Sequence, residues 1–137
     1  FLNAQHSLIL ATCSQAIPGC NLMSFALAPG ECSLIITTPV NSRKYKTLGQ
    51  NPNVSLLALD QPALRQDLEK GIALTLHGQA REARDRKRQD LEQIFISRNP
   101  DLQSFARSPD SAVFCIRVSH LVAVSNFQDL RELTLGG

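Results

Sequence analysis

Apolar residues along this chain recur mostly at alternate positions, in short runs punctuated by Pro, Gly and Asn. A period of two is the signature of a half-buried strand. Segments near 7–14, 20–27, 33–38, 54–59, 71–84 and 112–126 carry it and are predicted as strands. In the last, Phe114, Ile116, Val118, Val122 and Val124 alternate with Arg117, Ser119 and Ser125. Pro18-Gly19 and Pro29-Gly30 read as tight connections, which predicts that the first three strands form an antiparallel meander. Helical spacing is confined to about 43–49 and about 86–98, the latter with Leu91, Ile94 and Phe95 toward a core. Asp101–Arg107 adds a short helical turn, and the polar stretch Gln61–Lys70 reads as a mobile loop. Long strands with few helices point to a small closed barrel.

Charge makes one of these elements unusual. The helix near 43–49 starts at Asn41-Ser42, residues suited to an N-cap, and Gly49 is expected just beyond its last turn. Yet Arg43, Lys44 and Lys46 occupy its opening turn. The helix dipole is positive there, and each cation costs roughly 0.3–1 kcal/mol. A bound anion would reverse that penalty, and a phosphate suits a helix N-terminus flanked by Arg and Lys. The alternative is a solvated turn whose cations point into water. Asp85-Arg86-Lys87-Arg88 opens the second helix in the same basic manner, so charge alone leaves both readings open.

Composition narrows the classes. With 137 residues the chain is expected to be one domain, 1–137. Aromatic residues make up 5% with no Trp, so the core is predicted to be aliphatic. A net charge of +2, without aromatics interleaved among the basic residues, argues against nucleic acid. No apolar run reaches the ~18 residues of a membrane span, and no signal peptide is recognisable, so no membrane partner is expected. The chain opens on Phe1 rather than Met, which leaves any preceding residues open. Cys13, Cys20, Cys32 and Cys115 contain no Cys-x-x-Cys pair and are read as reduced, suiting a cytoplasmic protein. Cys20 and Cys32 flank the second strand, and their pairing is not decided by sequence.

No self-sufficient catalytic set stands out. His6, His77 and His120 are scattered without metal-ligand spacing, and no Gly-x-Ser-x-Gly, Gly-x-Gly-x-x-Gly or Walker motif occurs. His77 reads as a hydrogen-bonded strand residue. Chemistry, if any, is therefore expected from a cofactor.

The order of motifs supplies a candidate. Leu8-Ile9-Leu10-Ala11-Thr12-Cys13-Ser14, Asn21-Leu22-Met23-Ser24-Phe25-Ala26, Thr37-Thr38, Ser42-Arg43-Lys44, Asn51-Pro52-Asn53-Val54-Ser55-Leu56-Leu57 and a Gly-x-Ala turn at His77-Gly78-Gln79-Ala80 follow one another. Together, from about Phe1 to Phe127, they resemble the FMN-binding split barrels related to pyridoxamine 5′-phosphate oxidase. The resemblance implies a mainly β (α+β) fold, a split β-barrel of about six antiparallel strands with two or three flanking helices. It implies FMN as cofactor, with Arg43 and Lys44 on the phosphate and Thr37 and Thr38 just before it. Leu22, Met23 and Ser24 would run along the flavin ring and ribityl chain. Ordinary core remains the alternative for Leu22 and Met23.

The family further implies a homodimer with the cofactor at the subunit interface. It implies a flavin-dependent oxidoreductase acting on a small molecule whose identity the sequence does not give. A non-catalytic flavin, deazaflavin or haem-related binding module, or a cofactor-free dimeric split barrel, are the alternatives. Three departures put vitamin B6 oxidation in question. Cys20 stands about where the oxidases carry a further phosphate-binding Arg, and Ala73 where they carry a Gln. The chain also stops soon after Asp129–Leu135, before the stretch that holds their Trp and Arg.

Overall fold

The computed structural model describes residues 1–29, 33–60, 71–125 and 129–135. Among these residues, eight strands and three α-helices follow one another: β1 (Ser7–Ser14), β2 (Ile17–Ser24), β3 (Ala26–Leu27), β4 (Ser33–Pro39), α1 (Arg43–Gln50), β5 (Asn53–Leu59), β6 (Ile72–Glu82), α2 (Asp85–Arg98), α3 (Gln103–Arg107), β7 (Ser111–Ser125) and β8 (Asp129–Thr134). The mainly β expectation holds, with two short or polar strands, β3 and β8, beyond the six predicted.

All pairings are antiparallel, in the order β2-β1-β5-β6-β7-β4-β3, with β8 added to β7. The two ends of that order, β2 and β3, are separated in sequence by Phe25 alone. One nearly continuous segment therefore belongs to both edges of the sheet, and the sheet must curl until they meet. The result is a split-barrel arrangement instead of a barrel closed by hydrogen bonds. Phe25 at this corner is 3% exposed, as a residue wedged between two edges should be.

The predicted antiparallel meander of the first three strands is formed in part. The predicted second strand pairs with the first through β2 and with the third through the two residues of β3, while the full length of β4 lies against β7. The tight turn is also displaced: Ser14 pairs with Ile17, so Gln15-Ala16 is the two-residue connection, while Pro18-Gly19 lies inside β2. Both turn residues have positive φ, 53° and 62°, which matches a right-twisted hairpin although neither is Gly. Gly30 of the second expected turn, Cys32 and the loop 61–70 lie outside the described residues.

Leu10, Leu56, Leu76, Ile36 and Ile116 fill the inside of the curl, each at most 2% exposed. α2 and α3 cover the outside of β4 and β7, where Phe95, Ile96 and Ala106 pack on Ile35 and Val113. Leu91 and Phe95 are buried as predicted, and Ile94 packs at the margin. α1 contributes Leu48 to the inner core. It runs through Gly49 to Gln50, with an extended C-cap at Asn51. The expected glycine stop is absent because the chain passes directly into β5 without a left-handed residue. No helix among the described residues is long and apolar enough to cross a membrane.

His77-Gly78-Gln79-Ala80 is not a turn either. β6 continues through it, and the register against β7 shifts there, pairing His77 with His120 but Gly78 with Val118. Ser119 is left as the extra residue of a β-bulge. A Cβ on Gly78 would lie 2.2 Å from the carbonyl oxygen of Arg117, so only glycine admits this close approach.

Candidate functional site

The start of α1 is built from three hydroxyl and carbonyl groups. Ser42 is the N-cap, its Oγ accepting from the Tyr45 amide at 3.1 Å. The Ser42 hydroxyl donates to the Pro39 carbonyl at 2.8 Å, so its 3.1 Å contact with Thr38 Oγ1 is one in which Thr38 donates. Thr38, fully buried on β4, thus holds the capping residue. The other end of α1 is tied to β1 by Asn51 Nδ2 donating to the Cys13 carbonyl at 2.9 Å and by a Ser14–Gln50 side-chain hydrogen bond.

Between α1 and the β1–β2 hairpin lies a cleft of about 670 Å³. Ser42, Arg43, Lys44 and Lys46 line one wall, and Gly19, Cys20 and Asn21 line the other. Among the described residues, none that lines the cleft is acidic, and the first turn of α1 has no Asp or Glu. Lys44 is half-buried, and its ammonium donates to Met23 Sδ at 3.0 Å. A thioether is a weak acceptor, and burial pushes the Lys44 pKa below the ordinary lysine value. The site is therefore cationic, partly desolvated and short of acceptors. It favours an anion.

The second basic turn behaves differently. Arg88 on α2 donates to the carbonyls of Ser111 at 2.7 Å, Ser108 at 3.0 Å and Ala106 at 3.3 Å, and pairs with Glu92 at 3.6 Å. It clamps α3 and the start of β7, so its charge has a structural use.

The expected site residues separate into groups. Arg43 and Lys44 are brought to one cleft, and Met23 is brought to Lys44. Thr37 and Thr38 are 5% and 0% exposed and do not line the cleft, so Thr38 acts through Ser42. Leu22 is 74% exposed on β2, which removes the ordinary-core alternative for it, whereas Met23 is buried. Ser24 sits at the end of β2 opposite Ser7, away from the lining. Ser42, Lys46 and the segment 19–21 also line the cleft, although none of them was assigned to the cofactor from the sequence. The Asn41-Ser42 capping signal pointed at the first of them.

A second polar feature crosses the outer face of the sheet. Ala11, Ser55, His77, His120 and Thr134 fall in one cross-strand row. Ser55 Oγ lies 2.8 Å from His77 Nδ1, confirming His77 as a hydrogen-bonded strand residue. The rings of His77 and His120 stack at 5.9 Å, and His120 meets Thr134 Oγ1 at 3.0 Å and Glu132 at 3.7 Å. The bulge makes this row possible, because uninterrupted alternation from Arg117 would turn residue 120 inward.

The family model described as Pyridoxamine 5'-phosphate oxidase matches residues 1–125. A curated relative, the Pyridoxamine 5'-phosphate oxidase C1952.08c homolog of Schizosaccharomyces pombe, is 34% identical over 76 residues, covering 50% of this chain and 40% of its own length. Among solved structures, a heme binding protein from Mycobacterium smegmatis superposes with TM-score 0.83 at 16% identity, covering 96% of this chain and 54% of that one. Campylobacter jejuni ChuZ gives TM-score 0.81 at 14% identity, with 97% and 56% covered. General Stress Protein 26 from Bacillus anthracis gives 0.73 at 21%, with 96% and 90% covered. The chain thus spans well under two thirds of the curated relative, and the structural likenesses speak for the fold. With the fold, the basic helix start and the family match in agreement, this chain belongs to the pyridoxamine 5′-phosphate oxidase family.

Proposed function

We propose that the chain binds FMN in the cleft between α1 and the β1–β2 hairpin and acts as a flavin-dependent oxidoreductase. The carrying observation is the wall of Ser42, Arg43, Lys44 and Lys46, with no acidic residue among the described residues that line the cleft. A phosphate supplies acceptors to these donors and a negative charge to the helix N-terminus. Cys20, in the position where the oxidases carry Arg, faces the same cleft as Lys46, which offers a replacement cation from α1. Bound flavin would supply hydride and electron transfer. No residue of this chain is assigned a proton-transfer role in that chemistry.

A homodimer belongs to the same proposal. Ile9, Leu57, Thr75 and Val122 form a cross-strand row beside the histidine row, on the sheet face opposite the inner core. Cytoplasmic residence is the setting proposed for a protein whose cysteines 13, 20 and 115 are free thiols.

A haem-related ligand is the second reading, favoured by the name of the Mycobacterium smegmatis neighbour. Among the described residues the cleft lining includes no histidine, Cys20 being its soft donor, and Met23 sulfur is engaged by Lys44. The visible spectrum of the purified protein, with mass analysis of the released cofactor, separates the readings. Flavin bands with FMN released support the proposal, and a Soret band with haem released overturns it.

A further inference from the structure

A curl of about eight strands has an interior just wide enough for its own side chains or for one small ligand. The two ends of this curl are treated differently. At the Pro39 end of β4, α1 seats Leu48 in the inner core and packs Tyr45 against it. At the Ser33 end lies a pocket of about 360 Å³. Leu34, Leu76 and Val118, each at most 4% exposed, line it from the core side. Leu2, Leu27, Leu74 and Leu121 also line it and pack on the inner core, yet each is only half-buried. Leucines on the inside of a curled sheet are ordinarily covered, and these four keep part of their surface on a void.

The pocket walls are held by groups outside it. Arg98, the last residue of α2, donates to the carbonyls of Asn3 and of Gln5, the latter at 3.0 Å. This clamp fixes the 3₁₀ turn Leu2–Ala4 and, with it, Leu2 against the core. Asn99 Nδ2 donates to the Phe25 carbonyl at 3.1 Å, just ahead of β3, which carries Leu27. The bulge between β6 and β7 sets the far wall, because it turns Leu121 inward where unbroken alternation would place His120. Among the described residues, none that lines the pocket is charged, and Asn3 and Ser33 are its polar side chains. The backbone there is paired as well, the Ala28 amide donating to the Ser33 carbonyl at 3.0 Å. A charged ligand would find no countercharge in such a lining, and its desolvation would go uncompensated. A hydrocarbon meets no such cost, and a Leu-lined cavity of about 150 Å³ already stays dry and takes up benzene.

We propose that this pocket is a binding site for a neutral, apolar molecule of single-ring size. It shares no lining residue with the α1 cleft, and its occupancy does not depend on flavin there.

Toluene is the probe and benzoate its charged match, each titrated into the full chain with and without FMN and located by isotope-filtered NOEs to leucine methyl groups. Toluene should saturate, give NOEs to Leu74 and Leu121, and bind at least about tenfold more tightly than benzoate. Leu121→Phe and Leu2→Phe place ring atoms in the void, and each should weaken toluene at least about tenfold. Arg43→Gln with Lys44→Gln should leave toluene binding unchanged. Leu2 lies in a short turn at the margin of the core, so its variant keeps the test decisive if Leu121→Phe fails to fold. Absence of saturable toluene binding, equal affinity for benzoate, or toluene affinity unaffected by both filling substitutions overturns the proposal. NOEs confined to residues outside the pocket overturn it too.

Discussion

The ammonium of Lys44 rests 3.0 Å from the sulfur of Met23, so a cation expected on a phosphate and a side chain expected along a flavin are in direct contact. That contact leaves Lys44 poorly solvated and poorly paired. Its pKa is lowered by burial, so the unfolded chain binds the proton more tightly than the folded one. The penalty is fully present at neutral pH and disappears as pH rises past the ordinary lysine value of 10.5. Lys44→Met should therefore raise the stability of the cofactor-free protein at pH 7, by about 0.3–1 kcal/mol if the helix dipole dominates. Urea unfolding at pH 7 and above pH 10.5 should show the difference shrinking toward zero.

Arg88 and Arg43 open their helices alike in sequence, and their replacement should separate them. Arg88→Ala abandons three carbonyls and should destabilise by about 2–3 kcal/mol, the range for hydrogen bonds to charged groups. Arg43→Ala, at an exposed position in the cleft wall, should leave stability unchanged or slightly raised. Thermal unfolding of both variants reads this directly, and equal losses would show that Arg43 is structural too.

The hairpin tip offers a gain. Gln15 and Ala16 hold positive φ at 53° and 62°, a conformation that costs L-residues roughly 1–2 kcal/mol each. Replacing them with Asn-Gly, the pair favoured in such turns, should stabilise the protein by about 1 kcal/mol. A lower melting temperature in this variant would mean that the two side chains hold the turn through contacts of their own.

Local signals were legible in the sequence and long-range ones were not. The α1 start was readable because Ser42 and the cations after it act within one helical turn. The pairing of β4 with β7 was not, since nothing in Ser33–Pro39 names a partner more than 70 residues away along the sequence. Pro18-Gly19 misled because its composition suits a turn, while the true connection uses two residues with no turn preference. β8 was missed because all six of its residues are exposed and leave no alternating stripe. The histidine row was hidden by the bulge, which changes which residues of β7 face outward. Arg88 could not be told from Arg43, because its carbonyl partners lie on other elements.

Association should be visible without any ligand. If the row of Ile9, Leu57, Thr75 and Val122 meets a second copy, light scattering should give about twice the 15.0 kDa chain mass. Leu57→Glu should return it to the monomer value. A monomer with full flavin occupancy would remove the second chain from the site.

The most direct test of the phosphate cleft is the affinity of FMN and riboflavin for the protein and for the Arg43→Gln, Lys44→Gln double variant, followed by flavin fluorescence quenching. FMN should weaken by more than about 2 kcal/mol in the variant, as expected for losing two charge-assisted contacts. Riboflavin, which lacks the phosphate, should bind weakly to both proteins and almost equally. FMN affinity unchanged by the double substitution would contradict the account and leave the basic turn of α1 a solvated surface.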